Sequence, residues 1–270
     1  MSFLKELFGT EYPIIGLLHL KPLPGDPFQA PGSTLDGTIE AAAADLAALQ
    51  NGGVDGVLVT NEFSLPYQQH VSPVTLAAMG TVIGAVRSSF AVPFGAEAIF
   101  DGDATIDLCA ATGAAFTRCL FTDAWVGDIG IVNRDIASTL RRKFALRLDD
   151  LKLFYFATTE GDINLGGRST ADVVRTLKRT VHPDALVVGG SAAGTAPVLD
   201  QFDELASIAG DVPLVCGTGC KASTVADVFA VAHGAFVGTS LKVDGKIENP
   251  VDLQRVRQLM DVARSVRGDK

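Results

Sequence analysis

The sequence predicts one (β/α)8 TIM barrel of the phosphate-binding type over residues 1–270. Eight short apolar runs alternate with segments whose apolar residues recur at helical spacing, as strands alternate with helices in such a barrel. The runs are apolar throughout, which is typical of parallel strands buried on both faces. At 270 residues and 47% hydrophobic content, the chain has the size of one such barrel rather than of two small domains.

The predicted strands are short and bounded by glycine, proline or polar residues. They occupy residues 13–19, 54–59, 92–98, 115–120, 153–157 and 185–188, with the last two beginning at 213 and 235. The predicted helices carry apolar residues on one face. They occupy residues 34–51, 74–89, 104–112, a segment through 141–142, 170–181, 197–209 and 251–267. Loops are predicted at 122–130 and 158–168.

Glycine and proline residues mark where several of these elements begin or end. Two prolines and a glycine at 21–25 stop the first strand. Gly52-Gly53 ends the first long helix, and Pro197 suits the first turn of a later one. The rival fold is a doubly wound open sheet, whose nucleotide turn would place G-x-G-x-x-G after the first strand. Since this chain has prolines there, we favour the barrel.

Charge and composition limit the partners that the sequence predicts. The formal net charge is −9 and no run of Lys or Arg stands out, which argues against nucleic acid. No apolar stretch is long enough to span a bilayer, and the first eight residues lack the features of a signal peptide. We expect a cytoplasmic protein without membrane insertion, in which residues 1–8 form an amphipathic helix at the bottom of the barrel. A homo-oligomer is a further expectation, although no surface in the sequence identifies its interface.

The four cysteines fit buried thiols in a reducing compartment. Cys119 and Cys216 fall in strand-like runs, and Cys109 falls in an alanine-rich helix. Cys216 and Cys220 are four residues apart without a second Cys or His pair nearby, so a zinc site is not expected.

Two glycine-rich turns follow the last two predicted strands and are our candidate for a phosphate site. In this fold the loops after the seventh and eighth strands often bind phosphate, because glycine lets backbone amides approach an anion. The simpler interpretation is that glycines only permit tight turns here. The candidate residues, including two glycines after the sixth strand, are Gly189, Gly190, Gly217, Gly219, Gly238, Thr239 and Ser240.

Active sites in this barrel form at the carboxyl ends of the strands, which selects the candidate catalytic residues. His19 ends the first strand, Glu97 lies at the top of the third and Arg118 lies in the fourth. Each has a purely structural alternative, namely a hydrogen-bonded histidine and a buried Glu–Arg pair. Asn61 and Glu160 follow the second and fifth strands and are further pocket candidates. Glu62 is expected in solvent, and Lys242 is expected either to screen a bound anion or to lie in solvent.

The remaining ionisable residues are less informative. Those before strands lie on the opposite, structural face: His182, His233, Asp55, Asp184 and Asp211. Weaker candidates follow the strands: Asp101, Asp103, Asp123, Asp128 and Asp162. No lysine lies in the middle or upper part of a predicted strand, so a Schiff-base aldolase is not expected. No organic cofactor is expected. A divalent metal bound by His19, Glu97 and a loop aspartate stays open, although no H-x-H or H-E-x-x-H spacing supports it.

Several segments resemble the BtpA/SgcQ family over nearly the whole chain. The most specific is the H-x-x-P-L-P-G opening at residues 19–25; the others lie at 53–59, 111–118, 183–188, 216–219, 238–245 and 249–252. The resemblance implies a soluble cytoplasmic barrel. It also implies a link either to the biogenesis of photosystem I or another membrane complex, or to sugar-utilisation clusters. It would place Glu-Asn after the second strand and Lys-His after the fifth, where this chain has Thr60-Asn61 and Thr158-Thr159-Glu160.

Three functions remain open from the sequence. The first is an enzyme, an isomerase or a lyase, that acts on a small phosphorylated sugar or related metabolite. In it the last two turns hold the phosphate, and His19, Glu97 and Arg118 supply acid–base and electrostatic roles. The second is a non-catalytic assembly factor for a membrane complex, as the resemblance implies. The third is a nucleotide or nucleoside hydrolase, for which the chain offers no P-loop.

Overall fold

The computed structural model describes residues 2–120, 122–127, 129–158, 161–190 and 199–268. Its strands are β1 (Ile14–His19), β2 (Gly56–Thr60), β3 (Phe94–Glu97), β4 (Phe116–Leu120), β5 (Ala124–Gly127), β6 (Gly130–Asn133), β7 (Lys152–Phe156), β8 (Ile163–Asn164), β9 (Ala185–Val188), β10 (Leu214–Cys216) and β11 (Ala235–Val237). Its α-helices are α1 (Phe3–Phe8), α2 (Leu35–Gly52), α3 (Pro73–Val86), α4 (Gly102–Thr112), α5 (Ile136–Ala145), α6 (Thr170–Thr180), α7 (Leu199–Ala209), α8 (Val225–Val231) and α9 (Leu253–Arg267).

Eight parallel strands close into a barrel in the order β1-β11-β10-β9-β7-β4-β3-β2. The first and last strands pair directly, with Ile14 opposite Ala235. In the same register His19 of β1 lies opposite Thr60 of β2, which lies opposite Glu97 of β3. The predicted TIM barrel is therefore confirmed, and its strands begin and end within two residues of the sequence-based bounds.

The helices begin and end where local side-chain chemistry favours it. The side chains of Thr34, Ser72 and Asp101 each accept a hydrogen bond from a backbone amide in the first turn of α2, α3 and α4. Gly53 and Gly113 follow α2 and α4 with φ of 90° and 71°, a left-handed conformation that glycine adopts readily.

Two apolar cores hold the barrel together. The larger one lies between strands and helices, and the smaller one fills the barrel interior and extends to Trp125 and Val132 of β5 and β6. Leu4 and Phe8 of α1 belong to the inner core, and the Phe8 ring packs edge-on against Phe116 at 5.2 Å between centroids. As expected from its sequence pattern, α1 thus closes the barrel at the end where the strands begin.

The segment predicted as a loop at 122–130 instead contains the strand β5 and the start of β6. These two strands pair antiparallel, and β8 pairs with the other edge of β5. Trp125 and Val132 are buried under this small sheet, and Trp125 donates a hydrogen bond from Nε1 to the carbonyl of Thr122 at 2.7 Å. The prediction of a loop at 122–130 was therefore wrong, because burial of these side chains and cross-strand pairing hold the segment as strands. The predicted loop at 158–168 likewise contains β8.

Cys109, Cys216 and Cys220 are buried and carry thiol groups. Burial raises the pKa of Cys109 to about 12 and that of Cys220 further still, so both thiols are protonated and unreactive near neutral pH. Among the residues described, every helix is either too short or too polar to cross a bilayer.

Candidate functional site at the carboxyl ends of the strands

Four consecutive strands place polar residues in the uppermost layer of the barrel interior. Because side chains alternate along a strand, His19 shares the inward face of β1 with Leu17, and Thr60 shares that of β2 with Leu58. Glu97 and Arg118 hold the same level on β3 and β4. All four are buried. The cluster is therefore the polar half of the barrel mouth.

Glu97 and Arg118 form a two-pronged ion pair. Arg118 donates from Nε to Glu97 Oε2 at 3.0 Å and from Nη2 to Oε1 at 3.3 Å. Only 1% of Glu97 and 8% of Arg118 are exposed. Burial raises the pKa of Glu97, and the neighbouring guanidinium opposes that shift. Since both carboxylate oxygens already accept from Arg118, Glu97 is a poor general base in this arrangement.

Arg118 extends from β4 across the barrel. Its guanidinium carbon lies 4.9 Å from the ring centre of Phe236 on β11 and 5.6 Å from that of Phe156 on β7. A planar cation stacked on aromatic rings is stabilised by their π faces. With Glu97, these residues form the floor of the mouth.

His19 is a buried histidine. Only 6% of the residue is exposed, and neither ring nitrogen has a hydrogen-bond partner among the residues that the structure describes. Burial, followed by the positive charges of Lys242 and Arg118, holds the pKa of His19 well below its usual value. The imidazole is thus neutral near pH 7, with one nitrogen lone pair available to accept a proton. The structural alternative of a hydrogen-bonded histidine does not describe this residue.

Glu62 faces His19 rather than solvent, which corrects the sequence-based expectation. Its Oε2 lies 4.0 Å from His19 Nε2, and 24% of its side chain is exposed. Its backbone carbonyl accepts a hydrogen bond from the Tyr67 hydroxyl at 3.0 Å. Burial raises the pKa of Glu62, while the charge of Arg118 opposes the shift. The separation is too long for a direct hydrogen bond.

Lys242 is the second correction, because it lies in neither solvent nor an open anion site. It is 2% exposed, and its Nζ donates to Asp45 Oδ2 of α2 at 2.8 Å. Asp45 Oδ1 also accepts from the amide of Val251 at 2.8 Å. Burial lowers the pKa of Lys242, and Asp45 opposes that shift. The pair fixes the segment after β11 onto α2 and places a positive charge close enough to lower the pKa of His19.

The candidate phosphate residues after β11 begin directly beside His19. A Cβ atom at Gly238 would lie 2.8 Å from His19 Cε1 and 3.0 Å from Nε2, so no side chain fits there without moving the imidazole. A short 3-10 helix follows at Thr239–Leu241. Its internal hydrogen bonds start at the amide of Leu241, which leaves the Thr239 and Ser240 amides outside the helical pattern.

The turns after β9 and β10 are linked to one another and to this segment. The Gly190 amide donates to Thr218 Oγ1 at 2.8 Å, and Ser240 Oγ donates to the carbonyl of Cys220 at 3.1 Å. A Cβ at Gly217 would meet Val187 Cγ1 at 2.8 Å, and Gly219 has φ of 79°. The local structure therefore accounts for glycine at positions 217 and 219, and the Gly190 amide already donates a hydrogen bond within the protein.

The other sequence-based candidates have mostly structural roles. Asn61 is 2% exposed, and its Oδ1 accepts from the amide of Ile99 at 2.8 Å, joining the loops after β2 and β3. Asp101 caps α4 and also accepts a hydrogen bond from the Val71 amide. Asp103 accepts hydrogen bonds from the hydroxyl groups of Ser138 and Thr139. Asp123 forms an ion pair with Arg168. Glu160 and Asp128 lie outside the described residues, as does Ser191 beyond Gly190.

Three of the five residues assigned to the lower face make structural contacts there. Asp55 accepts from the Ile14 amide and pairs with Arg267, and Asp184 accepts from the Leu153 amide. The His233 ring stacks on Tyr12. Within the residues described, no group of three or more His, Cys, Asp or Glu side chains is arranged to hold a metal ion.

Several residues at the mouth were missed by sequence reasoning. Asp45 lies in α2, and Asp26 and Glu62 lie in the loops after β1 and β2. Carboxylates in such positions usually face solvent. The only available signal was position, since Glu62 follows β2 by two residues and Asp26 follows the H-x-x-P-L-P-G segment.

Sequence comparison places the chain among relatives of similar length. It is 37% identical over 267 residues to the sgc region protein SgcQ of Escherichia coli K12, covering 99% of this chain and 100% of that one. It is 29% identical over 264 residues to the photosystem I biogenesis protein BtpA of Synechocystis sp. PCC 6803, covering 95% and 89%.

Structure comparison gives the same fold at low sequence identity. A FolP dihydropteroate synthase from Clostridium difficile superposes with a TM-score of 0.63 at 14% identity, covering 97% of both chains. The sequence profile of the BtpA family matches residues 10–265. With the 37% identity to SgcQ, this match settles the family that the H-x-x-P-L-P-G segment suggested: the chain belongs to the BtpA family.

Proposed function

We propose that this protein is an enzyme of the isomerase or lyase type that acts on a small phosphorylated sugar or related metabolite. The single observation that carries the proposal is the state of His19, a buried imidazole whose two nitrogens have no hydrogen-bond partner in the described part of the chain. An unpaired buried polar group costs free energy, and such groups concentrate where a ligand supplies the missing hydrogen bond.

The arrangement around His19 suits proton transfer. Its lowered pKa keeps the imidazole neutral, and the raised pKa of Glu62 increases the protonated fraction of that carboxyl group. A base and an acid whose pKa values are shifted toward each other can remove a proton from one substrate atom and return it to another. Arg118, in the same layer as His19, supplies a fixed positive charge for an oxyanion. This role revises the expectation that Glu97 acts as a base, because Arg118 occupies its oxygens.

The phosphate is assigned to the turns after β10 and β11. Gly217, Gly219 and Gly238 keep side chains out of this half of the mouth, and the Thr239 and Ser240 amides are not used by the helix that they begin. Backbone amides of this kind bind anions. Lys242 adds positive charge from below while remaining bound to Asp45.

A charge-reversal variant tests the phosphate assignment. Thr239 is half-buried at the mouth, so Thr239→Glu puts a carboxylate where the phosphate is proposed to lie. Ser88→Glu makes the same charge change at an exposed position just after α3, on the lower side of the barrel. Thermal shift should show stabilisation of the wild type by at least one sugar phosphate, unchanged for Ser88→Glu and lost for Thr239→Glu. Equal stabilisation of both variants would disprove the assignment.

The assembly-factor function is the second candidate, and one structural feature favours it. Val126 of β5 pairs with Ile131 of β6 on one side and with Ile163 of β8 on the other, so the three side chains share one face of the small sheet. Ile131 is 58% exposed and Ile163 is 70% exposed. Exposed apolar rows of this kind mark protein contacts, and one relative is named for photosystem I biogenesis. In a deletion strain, an enzyme would lose complementation with His19→Gln and keep it with Ile163→Glu. An assembly factor would show the reverse.

A further inference from the structure

A cavity of about 400 Å³ lies between the loop after β1 and the loop after β2, and Asn61 and Ser64, which line it, stand on either side of Glu62 in the sequence. Asp26 contributes from the first loop, and Asn61 and Ser64 contribute from the second. We propose that this cavity binds the uncharged, hydroxyl-rich end of a sugar substrate, away from its phosphate. The inference rests on the proposed function for the identity of the whole substrate, but the cavity can be tested separately.

The polar groups of the cavity are held in place with hydrogen-bonding capacity left over. Asp26 Oδ2 accepts from the Leu23 amide at 2.6 Å and from Ser64 Oγ at 2.8 Å. These bonds fix the carboxylate, and the hydrogen bonds among described residues leave its Oδ1 free. Asn61 is 98% buried, and Ile99 occupies its Oδ1. No hydrogen bond among described residues uses the Asn61 Nδ2. The site therefore offers a fixed acceptor and a fixed donor.

The chemistry of the wall selects the ligand class. The described residues of the lining include the Asp26 carboxylate and no Lys, Arg or His, so an anionic group would be repelled. Hydroxyl groups can donate to Asp26 and accept from Asn61, which matches a polyol. Pro66, Val71 and Val74 supply an apolar wall against which the C–H face of a sugar can pack.

The position of the cavity fits one extended ligand. In the barrel β11, β1 and β2 are consecutive neighbours. Adjacent strands lie about 4.8 Å apart, so the turn after β11 and the loop after β2 are separated by roughly 10 Å. That distance is about the length of a sugar monophosphate. A ligand with its phosphate at Gly238 and its hydroxyl groups in the cavity would pass over His19 and Glu62.

Unphosphorylated polyols test the cavity apart from the phosphate site. We would titrate ribitol, xylitol and glucose by saturation-transfer NMR, and inorganic phosphate in a separate experiment. Asp26→Asn keeps an acceptor for Leu23 and Ser64 but removes the charge, and should weaken polyol binding at least tenfold. Asp36→Asn, at an exposed position in the first turn of α2, is the matched control and should bind as the wild type does.

A second variant tests the cavity without changing Asp26, whose substitution could displace the loop after β1. Val74 is 48% exposed at the start of α3, so Val74→Trp should fill the cavity without disturbing the core and should abolish polyol binding. Absence of polyol binding by the wild type, or wild-type binding by both cavity variants, would overturn the inference. Polyol binding that depends on Asp26, with no binding of phosphate, would support the inference and count against the proposed function.

Discussion

At the scale of single residues, the mouth of the barrel is defined by charges that burial has perturbed. Burial shifts the pKa of four residues in the direction that favours the neutral form of each side chain. It lowers the pKa of His19 and Lys242 and raises that of Glu62 and Glu97, and desolvation is the largest cause in each case. Such shifts cluster at functional sites because a buried ionisable group usually costs stability. Glu97 and Lys242 have fixed partners, whereas His19 has no hydrogen-bond partner among the described residues.

The burial of His19 predicts a particular pH dependence of stability. Its pKa is near 6.5 in the unfolded chain and lower in the folded protein, so below pH 6.5 the unfolded state binds more protons. The free energy of unfolding should therefore fall as the pH drops below 6.5, by up to about 1.4 kcal/mol per pH unit from this residue. Urea unfolding of wild type and His19→Gln from pH 7.5 to 5 should show a shallower slope in the variant. Parallel curves would show that His19 titrates normally.

The Glu97–Arg118 pair predicts strong energetic coupling. Glu97→Ala leaves a buried guanidinium without its carboxylate and should cost about 3–5 kcal/mol. Arg118→Met alone leaves the carboxylate buried and should also be costly. The double variant should lose clearly less than the sum of both. Additive losses in urea unfolding would mean that the two side chains are solvated separately and do not form the floor of the mouth.

At the scale of elements, the barrel strands were predictable and the small sheet was not. Continuous apolar runs such as 185–188 identify a strand buried on both faces, and β9 has those bounds. The strands β5, β6 and β8 are four residues or fewer, and they are held by Trp125 and by cross-strand pairing rather than by a periodic pattern. β6 pairs with β5 close by in the sequence, whereas β8 pairs with β5 from the loop after β7, and pairing at that distance leaves little local signal.

The candidate site was predictable only in part, for a related reason. A residue at the end of a strand is placed by the fold, so His19, Glu97 and Arg118 could be selected from the sequence. The partners of such a residue depend on loop conformation. Asp45 on α2 reaches Lys242, which is 197 positions away in the sequence, and no local pattern predicts that contact.

Alanine substitution should have opposite effects at two glycines, one at the contact of α1 with β2 and the other on the exposed face of α3. A Cβ at Gly56 would lie 2.7 Å from the ring of Phe8, so Gly56→Ala should destabilise the protein by about 1–3 kcal/mol. Gly84 lies exposed within α3 with nothing within 4 Å of its would-be Cβ, so Gly84→Ala should stabilise by about 0.5–1 kcal/mol. Urea unfolding compares the two directly. A neutral Gly56→Ala would mean that α1 does not press against the barrel bottom.

At the scale of the whole molecule, the barrel mouth has two unlike halves. The strands β1 to β4 contribute His19, Thr60, Glu97 and Arg118, whereas glycines follow β9, β10 and β11. His19 stands where the halves meet, with its ring against Gly238 and its Nε2 facing Glu62. A ligand with one anionic end and one reactive, hydroxyl-bearing end would match this division.

The most direct test of that claim is an amide-resolved NMR titration of the wild-type protein with inorganic phosphate. The proposed site predicts saturable shifts of the amides of Gly217, Thr218, Gly219, Thr239 and Ser240, with smaller changes elsewhere. The His19 ring signals should shift too, because the ring touches Gly238. Phosphate that leaves these amides unchanged, or that shifts mainly the arginines of α6, would contradict the assignment of the phosphate to the turns after β10 and β11.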